Sequence, residues 1–196
     1  MSEKFKVFTL IGYTSGIIVA TPNTKMEISL FKPSPFENNG QYAGAAFSFK
    51  LLKTPDGPKF IMSGVKQKSY NAEKKLGSFF NNKDNPDQSV SVKFNEIELG
   101  NLIYSIKNYK DFSAFHTFGE DKTTITFKPY NKKPKQGETE GAKAFSLTVK
   151  KNGSLTVGLG VELGEAEMLR VFIETALAEI FYASVRQPKE QHSSQE

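Results

Sequence analysis

The sequence predicts an α+β protein made of duplicated β-β-β-β-α units, forming two antiparallel sheets backed by two helices. Three observations predict it. The stretch GAKAFSLTVKKNGSLTVGLGVELGEAEMLRVFIETALAEIFY, residues 141–182, holds two alternating strands and then one long apolar-rich helix. The same order occurs earlier, where GAAFSFKLLKTPDGPKFIMSG leads, after an insertion, to SVSVKFNEIELGNLIYSIKN. Two short matches join the copies: Phe47-Ser48-Phe49 with Phe145-Ser146-Leu147, and Phe31-Lys32-Pro33 with Phe127-Lys128-Pro129, the second pair differing in inward parity, which leaves a bulge in one strand or a chance match as the alternatives. Unit one is expected at about 24–108 and unit two at about 111–186. Together with the N-terminus they form one pseudo-symmetric domain over 1–186, followed by a polar tail at 187–196.

Each element follows from local pattern. Phe5–Ile11 and Ile17–Ala20 read as short extra strands. Lys25–Lys32 alternates, with Met26, Ile28 and Leu30 on one side and Glu27, Ser29 and Phe31 on the other. Pro33 and Pro35 end it, and Asn38-Asn39-Gly40 is a turn. Ala45–Leu52 turns Phe47, Phe49 and Leu51 inward, and Pro55-Asp56-Gly57 makes a hairpin to Lys59–Lys66. The parity of that return strand is open, because Phe60, Ile61 and Met62 are all apolar. Gln67–Gln88 is polar and reads as one extended loop. Ser89–Phe94 is a strand with Val90, Val92 and Phe94 inward. Asn95 caps the helix that follows, with Glu98 closing a capping box.

In the second unit, Phe112–Phe118 is a strand and Gly119-Glu120-Asp121 its turn. Lys122–Lys128 turns Thr123, Ile125 and Phe127 inward and the lysines and Thr124 and Thr126 outward. Asn131–Glu140 is a basic loop. Lys143–Lys150 and Leu155–Val161 pair through Lys151-Asn152-Gly153, a strong hairpin signal. The last helix runs from about Gly164 to Arg186, and Pro188 stops it. Its apolar residues, Val171, Phe172, Ile173, Leu177, Phe181 and Tyr182 among them, cover more than one stripe. One face packs on the sheet, and the excess is expected to cover the other helix or to pair with a second subunit.

Composition excludes several classes of function. The chain has no cysteine, so disulfides and thiolate chemistry are out. His116 and His192 are the two histidines, and no second His or Cys stands ready to share a metal. Glu96, Glu98, Glu165 and Glu167 sit at helix starts, where capping explains them. No phosphate-binding loop or dinucleotide fingerprint occurs. A non-enzymatic protein without a cofactor or metal is expected. No secretion signal or membrane-length run is seen, so the expected location is the cytoplasm, a nucleoid or an organelle matrix, away from membranes.

Charge and rings point the other way, towards a ligand. The net charge is +5. Eight lysines lie between Lys122 and Lys151 against Glu138 and Glu140, while six glutamates lie between Glu165 and Glu196. The sheet side of unit two is therefore basic and the helical side acidic. Single-strand binders combine a basic surface with exposed rings that stack on bases. The candidate phosphate contacts are Lys50, Lys66, Lys68, Lys93, Lys122, Lys128 and Lys150, expected together on one open sheet face. The candidate rings are Phe31, Tyr70, Phe112, Phe115 and Tyr130. Taken singly, each lysine is ordinary solvated surface, and most of the 17 phenylalanines are core.

Four strands and a helix, given twice over Lys25–Arg186, resembles the Whirly family of single-stranded DNA-binding proteins. The PUR-alpha repeats and the kinetoplastid guide-RNA-binding proteins are similar in organisation. The Lys-Gly-Lys-Ala-Ala-Leu element of plant Whirly proteins is absent, its nearest counterpart being Gly141-Ala142-Lys143-Ala144-Phe145. The resemblance implies one domain of two sheets and two helices, assembly of subunits through the helices, and single strands lying across the outer sheet surfaces. The function expected is sequence-nonspecific binding of single-stranded DNA in replication, recombination or transcription, by a homo-oligomer joined through its C-terminal helix. Single-stranded RNA is the alternative ligand. A structural or protein-interaction module using the last helix and the 67–88 loop is the alternative class.

Overall fold

The structure is a computed structural model and describes residues 17–21, 25–134, 136–137 and 139–186. The strand expected at Phe5–Ile11 and the tail at 187–196, with Pro188, lie outside the described residues. The architecture is the one the repeat predicts: two antiparallel sheets backed by two helices. The first sheet is a meander of β1 (Ile17–Thr21), β2 (Lys25–Lys32), β5 (Ala45–Thr54), β6 (Gly57–Lys66) and β9 (Ser89–Phe94). Two small hairpins interrupt it: β3 (Glu37–Asn38) with β4 (Gln41–Tyr42), and β7 (Ser69–Asn71) with β8 (Leu76–Ser78). Helix α1 (Glu96–Asn108) closes the unit. The second sheet follows as β10 (Phe112–Phe118), β11 (Asp121–Asn131), β12 (Lys143–Lys151) and β13 (Leu155–Glu162), and α2 (Leu163–Arg186) closes the chain.

Period-two alternation decides which side of each strand is buried. Phe47, Phe49 and Leu51 of β5 face the core, and their partners across the ladder are Leu30, Ile28 and Met26 on one side and Gly64, Met62 and Phe60 on the other. This settles the parity of β6: Phe60 and Met62 point in and Ile61 points out. Gly64 is needed there, because a Cβ would stand 2.6 Å from the Phe47 ring. In the second sheet Ile125, Phe127, Phe145, Leu147, Val149, Val157, Leu159 and Val161 form the inner face. The inner faces of both sheets and the apolar stripes of both helices form a single buried cluster.

Turn chemistry is as written in the sequence. Asn152 and Gly153 take φ values of 52° and 70°, left-handed conformations that Asn and Gly adopt most readily, in the three-residue loop between Lys151 and Leu155. Asn95 and Glu98 form a reciprocal capping box at α1: the Asn95 side chain accepts from Glu98 N at 2.8 Å, and the Glu98 carboxylate accepts from Asn95 N at 3.0 Å. At the start of α2, Glu165 accepts from the backbone N of Glu162 at 2.8 Å and from Lys32 Nζ at 2.6 Å, tying the last helix to the first sheet. The two helices are linked by Lys107 of α1, 3.1 Å from Glu174 of α2, while Arg170 pairs with Glu167 and Glu174 within α2. Lys107 and then Arg170 hold the Glu174 carboxyl below the ordinary carboxylate range.

Two expectations need correcting. Gln67–Gln88 is not one extended loop: it carries the β7–β8 hairpin and is bonded to the sheet at several points. The two short internal matches also do not mark equivalent positions. Counting the four strands before each helix, Phe47 lies on the second and Phe145 on the third. Phe31 is outward and exposed, whereas Phe127 is buried. The duplication is visible in the order of elements and the burial pattern, not in those tripeptides.

Candidate nucleic-acid interface

The outer faces are built by the residues that alternate with the core. On the second sheet, one cross-strand row reads Phe115, Thr124, Lys150, Thr156. The next reads Ser113, Thr126, Thr148, Gly158, and the one beyond it Lys128, Ser146, Gly160. Thr117 and Lys122 form a row at one end, and Tyr130 stands near the other. Phe115 is 62% exposed. Tyr130 leans across the strands towards Gly160: a Cβ built on that glycine would meet the tyrosine hydroxyl at 2.8 Å. A side chain at 160 would lift the ring. Lys122 and Lys150 are exposed and take part in no ion pair among the described residues, while Lys128 lies 3.8 Å from Asp111.

On the first sheet the outer rows are Phe31, Ala46, Val65, Ser89, then Ser29, Ser48, Ser63, Ser91, then Glu27, Lys50, Ile61, Lys93. Phe31 is 44% exposed and packs on Phe79 with ring centroids 5.9 Å apart. Lys50 is paired with Glu27 at 3.2 Å. A groove of about 510 Å³ runs over these rows and is bounded on one side by Phe79, Phe80 and Lys83 of the insertion. It meets a second groove, of about 730 Å³, which passes the edge strand β9 at Lys93 and reaches His116, Phe118 and Lys151 at the β10–β11 end. Asp121, hydrogen-bonded by Lys151 and then by Asn152, is held below the usual aspartate range there.

The structure thus brings together Phe115, Lys122, Lys128, Tyr130 and Lys150 on one face, and Phe31, Lys50 and Lys93 on another. The expectation of a single shared face is corrected to two faces, one per sheet. Phe112 is on neither. It is 6% exposed and stacks on Phe94 in the core, with centroids 6.3 Å apart. The reason is parity: Phe112 and Phe115 are three residues apart on one strand and must point to opposite sides. Lys66 likewise lies on the core-side parity of β6, opposite Ala45, and its Nζ donates to Gln41 Oε1 at 2.9 Å. It opens into a small cleft beside Thr156 and Gly158 of β13. Lys68 is exposed and Tyr70 half-buried on the β7–β8 insertion.

Sequence reasoning passed over Phe79, Phe80, Lys83 and the serine row. Two adjacent phenylalanines in an otherwise polar segment were the available signal. His116 is on the core side. Its Nε2 lies 3.0 Å from Glu98 Oε1, buried and not aligned for a hydrogen bond. Among the described residues no group of three or more His, Asp or Glu is arranged to hold a metal, and no helix is long and apolar enough to cross a membrane.

No protein-family model matches the chain, and no curated protein matches it. Among solved structures, that of WHY1 from Arabidopsis thaliana is similar, with a TM-score of 0.44 at 10% identity, over 91% of this chain and 100% of that one.

Proposed function

We propose that this protein binds single-stranded DNA without sequence specificity, across the outer faces of its two sheets. The observation that carries the reading is the outer face of the second sheet. Phe115, 62% exposed, stands there in one row with Lys150 and beside Lys122, so that a ring and two cations share one surface. The neighbouring rows are threonines and serines, which can donate to phosphate oxygens. Rings that stack on any base and lysines that track the backbone make a surface tolerant of sequence. Such binding serves processes that expose single strands, namely replication, recombination or transcription.

A titration of labelled oligo-dT, oligo-rU and duplex at two salt concentrations tests this. The expected result is micromolar or tighter binding to oligo-dT, weaker binding to duplex, and a log K that falls with log salt by about 0.7 per phosphate contact. Equal affinity for duplex and single strand removes the reading. A clear preference for oligo-rU moves it to RNA.

The same reading includes self-association through α2. Leu169, Phe172, Ile173 and Ala176 are buried in the protomer, but Val171, Phe181, Tyr182 and Val185 are between 51% and 82% exposed. An exposed apolar helix end of this kind is the usual mark of a subunit contact. Light scattering is expected to report an assembly larger than one chain, and Phe181→Glu is expected to shift it towards the monomer. A wild-type protein that runs as a monomer at micromolar concentration ends this part of the reading.

A further inference from the structure

The geometry points to a pocket for one unstacked base on the outer face of the first sheet, formed with the 67–88 insertion; this rests on the nucleic-acid reading above. Its floor is the row Ser29, Ser48, Ser63, Ser91, one serine from each of four adjacent strands. Three inter-strand steps make that row roughly 14 Å long. On one side the row Glu27, Lys50, Ile61, Lys93 is taller throughout; on the other, Phe31 and Val65 rise above the floor while Ala46 and Ser89 do not. Small hydroxyl side chains beside these taller groups, with Phe79 and Phe80 of the insertion as a wall, leave a trench that crosses the strands. Its volume of about 510 Å³ lies within the range of about 300–1,000 Å³ typical of ligand pockets.

The chemistry of the trench suits a nucleobase. Phe79 packs on Phe31 at its rim, and Phe80 beside it is 81% exposed. These supply flat apolar surfaces for stacking. The floor supplies hydroxyls that both donate and accept, which the edge of a base requires. Ser63 and Ser91 already share a hydrogen bond at 2.8 Å, so their oxygens are held at a set spacing. Lys83 and Lys93 stand where the trench opens over β9, on the side a phosphate backbone would enter or leave.

The wall is held in place rather than free to fold away. Gln67 is 3% exposed, and its side chain accepts from Ser34 N at 2.8 Å and donates to the carbonyls of Ser34 and Ser69. Gly44 and Gly77 make room for it: a Cβ on the first would stand 1.9 Å from Gln67 Oε1, and on the second 3.0 Å. Asn82, 6% exposed, donates to the carbonyl of Lys66 at 3.0 Å, and Ser89 Oγ donates to the carbonyl of Asn85. Buried amides satisfied in this way anchor the insertion on both sides of Phe79 and Phe80. A wall ordered in advance does not have to be ordered by the ligand. Among the described residues, the second sheet by contrast offers an open surface with no such wall. The two sheets therefore divide the work: the second holds a strand of any sequence, and the first adds a modest preference for the base seated in its trench, on top of binding that does not depend on sequence.

The test is an anisotropy titration of short labelled oligo-dT, oligo-dC and oligo-dA with the full chain and with Phe79→Ala and Ser48→Val. Wild type is expected to favour one of the three by about five-fold or more, and Phe79→Ala to weaken that one by roughly ten-fold, the loss of one base–ring stack. Ser48→Val fills the trench and is expected to erase the preference while leaving the other two affinities within about two-fold, since their binding comes from the backbone. Equal affinity for all three, unchanged by Phe79→Ala, overturns the pocket and leaves single-strand binding standing. A preference that survives both substitutions also overturns it, because the base is then read elsewhere. Failure of wild type to bind any of the three overturns single-strand binding itself and the pocket with it.

Discussion

Phe60→Ala is expected to destabilise the protein by about 3–5 kcal/mol, the usual cost of removing a fully buried phenylalanine. Phe60 is 1% exposed and touches rings from three other elements. Its centroid lies 6.4 Å from that of Phe49 on β5, 6.1 Å from Phe94 on β9 and 5.8 Å from Phe172 on α2. The contact with Phe172 joins the sheet of the first unit to the helix that ends the second. We therefore expect one unfolding transition for the whole of 25–186, moved down by about 10 °C or more, and not the loss of unit one alone. Thermal melts followed by far-ultraviolet circular dichroism and by calorimetry measure this. Two transitions, with only the first displaced by the substitution, would show that the units fold separately and that the single pseudo-symmetric domain is wrong.

The largest effect on binding is expected from reversing Lys122 and Lys150 together to Glu. Both are exposed, both lie on the outer face of the second sheet, and neither is engaged by an acid among the described residues. Taking two lysines away from the phosphates of a single strand lowers the salt slope by about 1.4, and at 50 mM salt that amounts to roughly a fifty-fold drop in affinity before any repulsion is added. The drop should be the same for oligo-dT, oligo-dC and oligo-dA, because phosphate contacts carry no base information. Melting temperature should stay near the wild-type value, since exposed lysines contribute little to stability. Affinity for oligo-dT that is unchanged by the double reversal would place the strand elsewhere on the molecule. The comparison also separates the two sheets, because Phe79→Ala acts unevenly across bases while this variant acts evenly.

Much of this molecule was legible from the order of residues. Strict alternation in Ala45–Leu52, Lys122–Lys128 and Leu155–Val161 named both the strands and their buried sides, because a sheet with one wet face leaves little freedom in register. Asn95 with Glu98, and Asn152 with Gly153, announced a helix start and a hairpin through local geometry alone. The candidate site was legible in part. Phe115, Lys122, Lys128, Tyr130 and Lys150 came together because their parity was right. Phe112 did not join them, since three steps along a strand reverse the face, and Lys66 fell to the core-side parity of a strand whose apolar run hid its phase.

The chain by itself therefore determined the two helices, the four long strands before each of them, the inward side of most of those strands and the two-unit plan, since these follow from periodicities of two and 3.6 residues and from turn chemistry within a few neighbours; the phase of Gly57–Lys66 and the small hairpins of the insertions did not follow from it. Only the tertiary structure decided that the lysines and rings divide between two faces. Only it aligned four serines from four strands into one row, with Phe79 brought over them by the anchoring of Gln67 and Asn82. Those arrangements depend on which strand lies beside which and on how an insertion folds back, and neither is encoded in the spacing of residues along one segment.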